Sequence, residues 1–144
     1  MKKEKLVDKS NLGAYLLPGR IKNPNDGIYQ ATKSEELGLG TLWLSERWGN
    51  KDLGAIFGAV TQAAPSAYIA AGTTHFLTRH PIVLASMAMT LQSLSKEKFI
   101  LGIGRGVAEM FQPIGLPNIS FEYLIDITKI VGFFLVFIAI VNFV

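Results

Sequence analysis

The hydrophobic positions of the chain form short apolar runs, and each run is closed by glycine, proline or polar residues. Continuous runs of this length are typical of strands buried in a parallel sheet. Successive runs start ~30 residues apart, which is close to the length of one strand-helix-strand unit. The runs lie at residues 12–17, 41–44, 67–71 and 99–103.

Longer stretches with helical periodicity separate the predicted strands, at about 28–37, 51–63 and 81–94. Gly38 stands where a left-handed C-cap is needed, Asp52 falls in a first turn, and Pro81 takes a first helical position. The alternation predicts an α/β fold with parallel strands and right-handed crossovers. An open doubly wound sheet and a (β/α)8 barrel both fit it. A barrel needs ~250 residues, so four units would form about half of one.

Composition narrows the classes of function. The 144 residues are 49% hydrophobic and 17% charged, which predicts an ordered domain with one core. The net charge of +3 is small and scattered, so we expect no nucleic-acid partner. There is no cysteine, and His75 and His80 lack the i, i+4 spacing of helical metal ligands. We therefore expect neither a disulfide framework nor a metal site.

The two ends of the chain differ in character. No apolar run follows the charged residues 1–5, which predicts a cytoplasmic protein without a secretory signal. Residues 130–144 are apolar except for Asn142, yet they fall short of the ~20 residues of a membrane-spanning helix. We predict a domain at 1–129 and an apolar C-terminal helical segment at 130–144. A membrane span is not expected, although contact of this segment with a membrane surface stays open.

Candidate chemistry lies where the predicted strands end, because active sites of parallel α/β proteins form at the carboxyl ends of the strands. Ser45 and Glu46 follow the second strand, whereas His75 and the segment 78–81 follow the third. We take Glu46 and His75 as catalytic candidates. The alternatives are a solvated turn around Glu46 and a helix-cap or loop role for the histidines.

A glycine cluster at 102–106 follows the fourth strand. It departs from the dinucleotide-binding pattern GxGxxG, because Val107 stands at the place of the third glycine. Its backbone N–H groups beside Arg105 could approach a phosphate, and a tight turn is an equally good interpretation. No serine elbow, phosphate-binding Walker loop, HExxH motif or carboxylate pair is present. Any chemistry is therefore expected to belong to a bound cofactor.

Three stretches resemble one known family. They are GLGTLWLSERW at 38–48, AAGTTHFLTRHP at 70–81 and LQSLSKEKFILGIGRG at 91–106. Together they resemble the luciferase-like monooxygenases, the bacterial luciferase-type oxidoreductases that use a flavin or coenzyme F420. The most specific part is 94–106, in which Lys96, Glu97 and Lys98 replace the usual glycine and arginine.

The resemblance implies a (β/α)8 barrel, of which this chain would form the N-terminal half, with the cofactor ring at the carboxyl-terminal mouth. It places Ser45 and Glu46 beside the ring and substrate. It also implies a bulge after the third strand, where family members often carry a non-proline cis peptide that backs the ring. A further implication is a loop near the ribityl and phosphate end of the cofactor. The implied cofactor-binding residues are Ser45, Gly72, Thr73, Thr74, Gly104, Arg105 and Gly106.

The implied activity is hydride transfer or monooxygenation of a small-molecule substrate. The stretches TRHP and LGIGRG favour coenzyme F420, with FMN as the alternative. Because the expected second half of the barrel is absent after residue 129, we predict a truncated or frame-shifted version or one fragment of a split protein. The resemblance implies a homodimer, since family members commonly pair through early barrel helices; the alternative is a complementing fragment that assembles through its open edges. The competing hypothesis is a non-catalytic remnant or interaction module, associated with a membrane through 130–144.

Overall fold

A computed structural model describes residues 7–106 and 108–141. The charged amino terminus at 1–5 and the last part of the apolar segment, 142–144, lie outside the described residues.

The strands form two parallel ladders. The strands are β1 (Gly13–Tyr15), β2 (Thr41–Leu44), β3 (Tyr68–Ala71), β4 (Thr74–His75), β5 (Phe99–Ile100) and β6 (Ile103–Gly104). The larger sheet has the order β1-β2-β3-β5, and β4 pairs with β6 in a separate two-stranded ladder. All pairings between these strands are parallel, which confirms the predicted α/β class.

The predicted helices are present. Gly38 closes the first helix with φ 73°, as predicted. Asp52 does not lie in the first turn of the second helix but precedes it as the N-cap, where its carboxylate accepts from the Ala55 N–H. His80 caps the third helix by accepting from the Ile82 N–H, which confirms the helix-cap alternative for this histidine. The helices are α1 (Asn25–Leu37), α2 (Leu53–Ala63), α3 (Pro81–Leu94), α4 (Ala108–Phe111) and α5 (Phe121–Val141).

Two predicted strands differ from the structure. The first covers only Gly13–Tyr15 and not 12–17, because Leu17 turns the chain with a positive φ of 49°. The predicted strand at 99–103 is divided into β5 and β6. At Gly102, between them, the carbonyl accepts from the Thr74 N–H, and an added Cβ would lie 2.0 Å from Ala71 O. After this close contact at Gly102 the chain no longer pairs with β3 in the main sheet and instead pairs with β4 in the second ladder.

The two faces of the main sheet have different surroundings. Side chains alternate between the faces of a strand, and one set packs against α1, α2 and α3. This buried set includes Leu42, Leu44, Ile69 and Phe99, together with Phe57 of α2. The other face carries large apolar side chains that remain exposed: Tyr15, Trp43, Tyr68 and Ile100.

Helix α5 continues without a break from the predicted domain into the apolar segment. Its Ile127 and Val131 are buried against Phe76 and against Leu84 and Ala85 of α3. In the part of the chain that is described, no helix has both the length and the apolarity to traverse a bilayer.

Replacing Gly102 by alanine should lower the free energy of unfolding by about 1–3 kcal/mol, the usual cost of forcing an atom into a packed site. The added Cβ would meet the Ala71 carbonyl, which belongs to rigid backbone. The matched control is Gly58→Ala in α2, where no atom lies within 4 Å of the new Cβ. Because alanine favours helix over glycine, this control should stabilise by up to ~1 kcal/mol. Urea unfolding of both variants checks this prediction, and equal effects would contradict it.

Candidate functional site

A buried carboxylate lies where β2 ends. The Glu46 side chain is only 5% exposed, and its Oε1 lies 2.5 Å from Arg79 Nη2. Its Oε2 accepts from the Thr74 hydroxyl and, at 3.4 Å, from the His75 N–H. Both carboxylate oxygens are therefore engaged by groups that follow β3.

Arg79 also binds a second acid. Its Nη2 lies 2.5 Å from Asp52 Oδ2, so one guanidinium joins the end of β2 to the start of α2. The hydrogen bond to Glu46 is the main cause that raises the pKa of Arg79, against the effect of burial. Burial alone would raise the pKa of Asp52, but the hydrogen bonds from the Ala55 N–H and from Arg79 lower it overall. Arg79 and Asp52 are therefore both charged at neutral pH.

The imidazole of His75 is half-buried in the same region. Its ring packs edge-on against Phe111 with the centroids 5.7 Å apart. Burial lowers the pKa of His75; Glu46 opposes this shift and Arg47 adds to it. The ring is therefore neutral at neutral pH. Its Nδ1 is buried and has no hydrogen-bond partner among the described residues.

A row of hydrogen bonds crosses the ends of three strands. The Tyr15 hydroxyl donates to Ser45 Oγ, and the Ser45 hydroxyl donates to Gly72 O. The peptide bond between Gly72 and Thr73 is cis, as the resemblance implied for this segment.

The indole of Trp43 lies beside this row on the exposed face of the sheet. A Cβ at Gly72 would be 3.1 Å from Trp43 Cε3, and one at Gly13 would be 3.2 Å from Trp43 Nε1. The two glycines therefore leave room for the ring, which remains 40% exposed. The result is a flat aromatic surface next to hydrogen-bonding groups.

The glycine-rich loop packs against the segment that follows β3. A Cβ at Gly104 would lie 2.4 Å from Thr73 Oγ1. Gly106 has φ 76°, and its Cβ would lie 2.4 Å from Phe111 Cζ and 3.1 Å from His75 Nδ1. These contacts fit the tight-turn interpretation of the loop. Arg105 is exposed, and its Nη1 donates to Ile119 O at 3.4 Å.

The structure thus brings most of the predicted site residues together. Glu46 contacts Thr74 and His75, Ser45 contacts Gly72, and the loop at 104–106 lies against 73–75, whereas the Arg105 side chain turns towards Ile119. Sequence reasoning missed Tyr15 and Asp52 as members of the site, and it included Arg79 only within the segment 78–81 without assigning it a role. Its role could have been inferred from that position, because a carboxylate buried at a strand end needs a cationic partner.

A polar cleft of about 440 Å³ opens beside the ion pairs. Buried Lys51 forms part of its wall; burial lowers the pKa of this lysine, and its Nζ donates to Leu17 O at 2.5 Å. The cleft has room for a small molecule next to charged groups. Its lining includes Glu46, Trp48, Lys51, Asp52, Thr78 and Arg79.

The residues present fit a planar ring system. The Trp43 indole and the backbone at Gly72 provide a flat surface, and the row through Ser45 provides polar groups at its border. His75 Nδ1 adds a buried nitrogen that has no hydrogen-bond partner within the part of the chain that the structure describes. Cofactor sites are usually lined by apolar and aromatic side chains with a few polar groups that fix the orientation of the ligand.

Comparison with known proteins gives one family. The family model described as luciferase-like monooxygenase matches residues 8–117. A 5,10-methylenetetrahydromethanopterin reductase from Methanolobus tindarius is 27% identical over 110 residues, which are 74% of this chain and 33% of that protein. The chain thus spans about a third of the length of this curated relative.

Solved structures show the same fold. The coenzyme F420-dependent tetrahydromethanopterin reductase from Methanopyrus kandleri is 25% identical, with a TM-score of 0.62 over 74% of this chain and 30% of its own. The oxygenating constituent of 3,6-diketocamphane monooxygenase from Pseudomonas putida, in complex with FMN, is 22% identical, with a TM-score of 0.65 over 87% of this chain and 37% of its own. The chain therefore has the fold of part of a luciferase-like (β/α)8 barrel.

Replacing Glu46 by alanine should lower the free energy of unfolding by about 3–5 kcal/mol, because it removes one partner of a buried ion pair. Asp52→Ala is the matched control, since it removes the other acid bound to Arg79. That carboxylate is half exposed, and its loss should cost mainly the helix cap, about 1 kcal/mol. Thermal and urea unfolding measure both effects. Similar losses in the two variants would show that burial of Glu46 is not decisive.

The free energy of unfolding should fall as the pH is lowered below 6.5, because the folded pKa of His75 is depressed from that ordinary value. Below pH 6.5 the unfolded chain binds a proton at His75 more readily than the folded chain does. The contribution of neutral His75 to the free energy of unfolding is therefore fully present above pH 6.5, and it is lost as the pH falls to the lower pKa of the folded state. The lowered pKa of Asp52 affects the free energy of unfolding in a separate pH range, below the ordinary pKa of 3.8 for this group. Urea unfolding across this range should show a weaker pH dependence for His75→Gln. An unchanged dependence would contradict the assignment.

Proposed function

The chain belongs to the luciferase-like monooxygenase family, and from that membership we propose that it forms the cofactor-binding half of an oxidoreductase. The proposed reaction is hydride transfer between coenzyme F420 and a small-molecule substrate. The observation that carries the proposal is the hydrogen-bonded row from Tyr15 through Ser45 to Gly72, beside the exposed Trp43 indole. It lies at the carboxyl ends of the strands, where α/β proteins bind their cofactors.

The choice of cofactor rests on the relatives. The curated relative is named as a reductase, and the reductase with a solved structure is described as coenzyme F420-dependent. These two support F420, whereas the FMN complex of a structural neighbour supports FMN as the alternative. When bound, F420 would supply a two-electron hydride carrier, and FMN would also permit reaction with oxygen.

The chain's own residues would hold the cofactor ring and arrange the carboxyl-terminal mouth of the barrel. Trp43 and the backbone at Gly72 would form the wall against which the ring lies. Ser45 keeps that wall in place, because its hydroxyl links Tyr15 to the Gly72 carbonyl. Arg105 would provide the cation near the phosphate-bearing end, since it is exposed on the loop after β6.

Glu46 and His75 would have different tasks. Both oxygens of Glu46 are engaged, so this carboxylate would hold Arg79, Thr74 and the backbone of His75 in position. His75 would exchange a proton at Nδ1, which is neutral and without a partner among the described residues. The polar cleft beside Arg79 would bind the substrate.

Fluorescence titration of the purified chain with F420 and with FMN tests this function. We expect saturable binding of F420, and Arg105→Ala should weaken it about tenfold, equivalent to about 1.4 kcal/mol for the loss of one phosphate contact. The control is Lys33→Ala, which removes the same charge from an exposed pair with Glu36 on α1. This control should leave the affinity unchanged.

The outcomes separate the hypotheses. Saturable binding of FMN alone would move the proposal to flavin chemistry. Binding of neither cofactor would contradict it and favour a non-catalytic interaction module. Equal weakening by both charge variants would show that binding reflects net charge and not the loop after β6.

A further inference from the structure

We propose that the polar cleft beside Arg79 binds the carboxylate of a small aromatic acid, and that Lys51 is the residue that selects this group. The proposal deepens the proposed function and rests on its assignment of the cleft to the substrate. The lining residues come from two loops of this chain, at 46–52 and 78–79, which follow β2 and β4. The volume of about 440 Å³ is in the usual range of small-molecule sites.

Lys51 is a buried cation with hydrogen-bonding capacity to spare. The residue is only 5% exposed, and its Nζ donates to the Leu17 carbonyl. An ammonium carries three N–H donors. Within residues 7–106 and 108–141, no second oxygen accepts from Nζ and no carboxylate lies within ion-pair distance of it. Because a buried charge is costly without a counter-ion, an anion in the cleft would supply the partner that Lys51 needs.

The charges around the cleft favour a ligand with a single negative charge. Glu46 and Asp52 both bind Arg79, so by formal charge this group has one acid in excess, which Lys51 offsets. Arg47 adds one further cation: burial and then Arg47 lower the pKa of Lys51, and Arg47 forms no ion pair in the described part of the chain. One carboxylate matches this excess better than a doubly charged phosphate does.

Arg79 offers a second donor to the same anion. Its Nη2 binds both acids, and its Nε is buried without a hydrogen-bond partner among the described residues. Nη1 is not buried in this way, and no oxygen in the described ranges accepts from it. Since Arg79 lines the cleft, Nη1 is the nitrogen left for a ligand. Guanidinium and carboxylate groups are both planar and form strong charge-assisted hydrogen bonds.

Trp48 supplies an aromatic part of the wall. Its indole stacks on Phe111, with the ring centroids 6.3 Å apart and 20° between the planes. Phe111 in turn packs edge-on against His75, so two ring contacts hold this side of the cleft. An aromatic ligand beside the indole would gain the same kind of contact. The carboxylate is therefore best carried by a small aromatic acid.

The loop that carries Lys51 is anchored on both sides of the cation. Asn50 Oδ1 accepts from the Ile21 N–H at 2.8 Å, and Asn50 Nδ2 donates to Ile21 O at 3.0 Å. With the bond from Lys51 to Leu17 O, these contacts hold residues 50–51 against the loop after β1. A donor that is already held in place loses less conformational freedom when a ligand binds.

Isothermal titration calorimetry of the full chain with benzoate tests the proposal. Benzoate should bind saturably, and benzamide, which has a similar shape without the charge, should bind about tenfold more weakly. Lys51→Met keeps the apolar stem and removes the charge, and it should weaken benzoate about tenfold while leaving benzamide unchanged. The matched control is Lys98→Met. Lys98 Nζ also donates to backbone carbonyls, those of Pro65 and Ser66, but at the amino ends of the strands, so benzoate affinity should not change.

A second measurement locates the ligand without any variant. In amide NMR spectra of the parent chain, benzoate should shift the signals of residues 48–52 and 78–79. The signals of α1 should stay in place. This measurement keeps the proposal testable if Lys51→Met does not fold.

Four results would overturn the proposal. They are the absence of saturable benzoate binding, equal affinities for benzoate and benzamide, shifts confined to residues outside the cleft, and a folded Lys51→Met variant with unchanged benzoate affinity. Inorganic phosphate that displaces benzoate at equal concentration would also overturn it, because the cleft would then not select a carboxylate. Displacement of benzoate by saturating F420 would have the same meaning, since the cleft would then hold part of the cofactor.

The titration contains no cofactor, so its failure can be told apart from failure of the proposed function. Binding of benzoate without binding of F420 or FMN would contradict the cofactor proposal alone. Binding of F420 without binding of benzoate would contradict the carboxylate proposal alone.

Discussion

The carboxylate of Glu46 is the group on which the arrangement of the site depends. It is almost fully buried, and a buried charge is tolerated only when it is paired and hydrogen-bonded. Its partners come from the segment after β3, and Arg79 extends the connection to Asp52 at the start of α2. One desolvated carboxylate thereby fixes three chain segments relative to each other. The position of His75 follows from this, since its N–H is among the bound groups.

The division of the sheet into two faces connects the fold to the proposed function. Helices cover one face, and its side chains form the core. The other face leaves Trp43 exposed beside Gly13 and Gly72, where an added Cβ would contact the indole closely. An exposed aromatic surface lowers the stability of an isolated half-barrel, and it is also what a planar cofactor would cover.

Local signals predicted much of the fold. The strand Thr41–Leu44 and the helix Pro81–Leu94 have the predicted bounds, because polar residues or glycine limit the first and proline begins the second. The division of 99–103 was not predictable, because it depends on pairing with Thr74 and His75, which are distant in sequence. The segment 78–81 suggested a cation at Arg79, but its acidic partners are 33 and 27 residues away, so the contacts themselves depend on long-range packing. Strand-end positions suggested the candidate residues, but which of them make contact depends on long-range packing.

Hydrogen–deuterium exchange of the chain with and without F420 tests the central claim most directly, because it locates the bound cofactor along the backbone. The account predicts slower exchange at the ends of three strands, in residues 43–46, 72–75 and 104–106. It predicts no change in α1, which lies on the opposite face of the sheet. Protection confined to the helices, or no protection at a cofactor concentration that saturates binding, would contradict a cofactor site at the carboxyl ends of the strands.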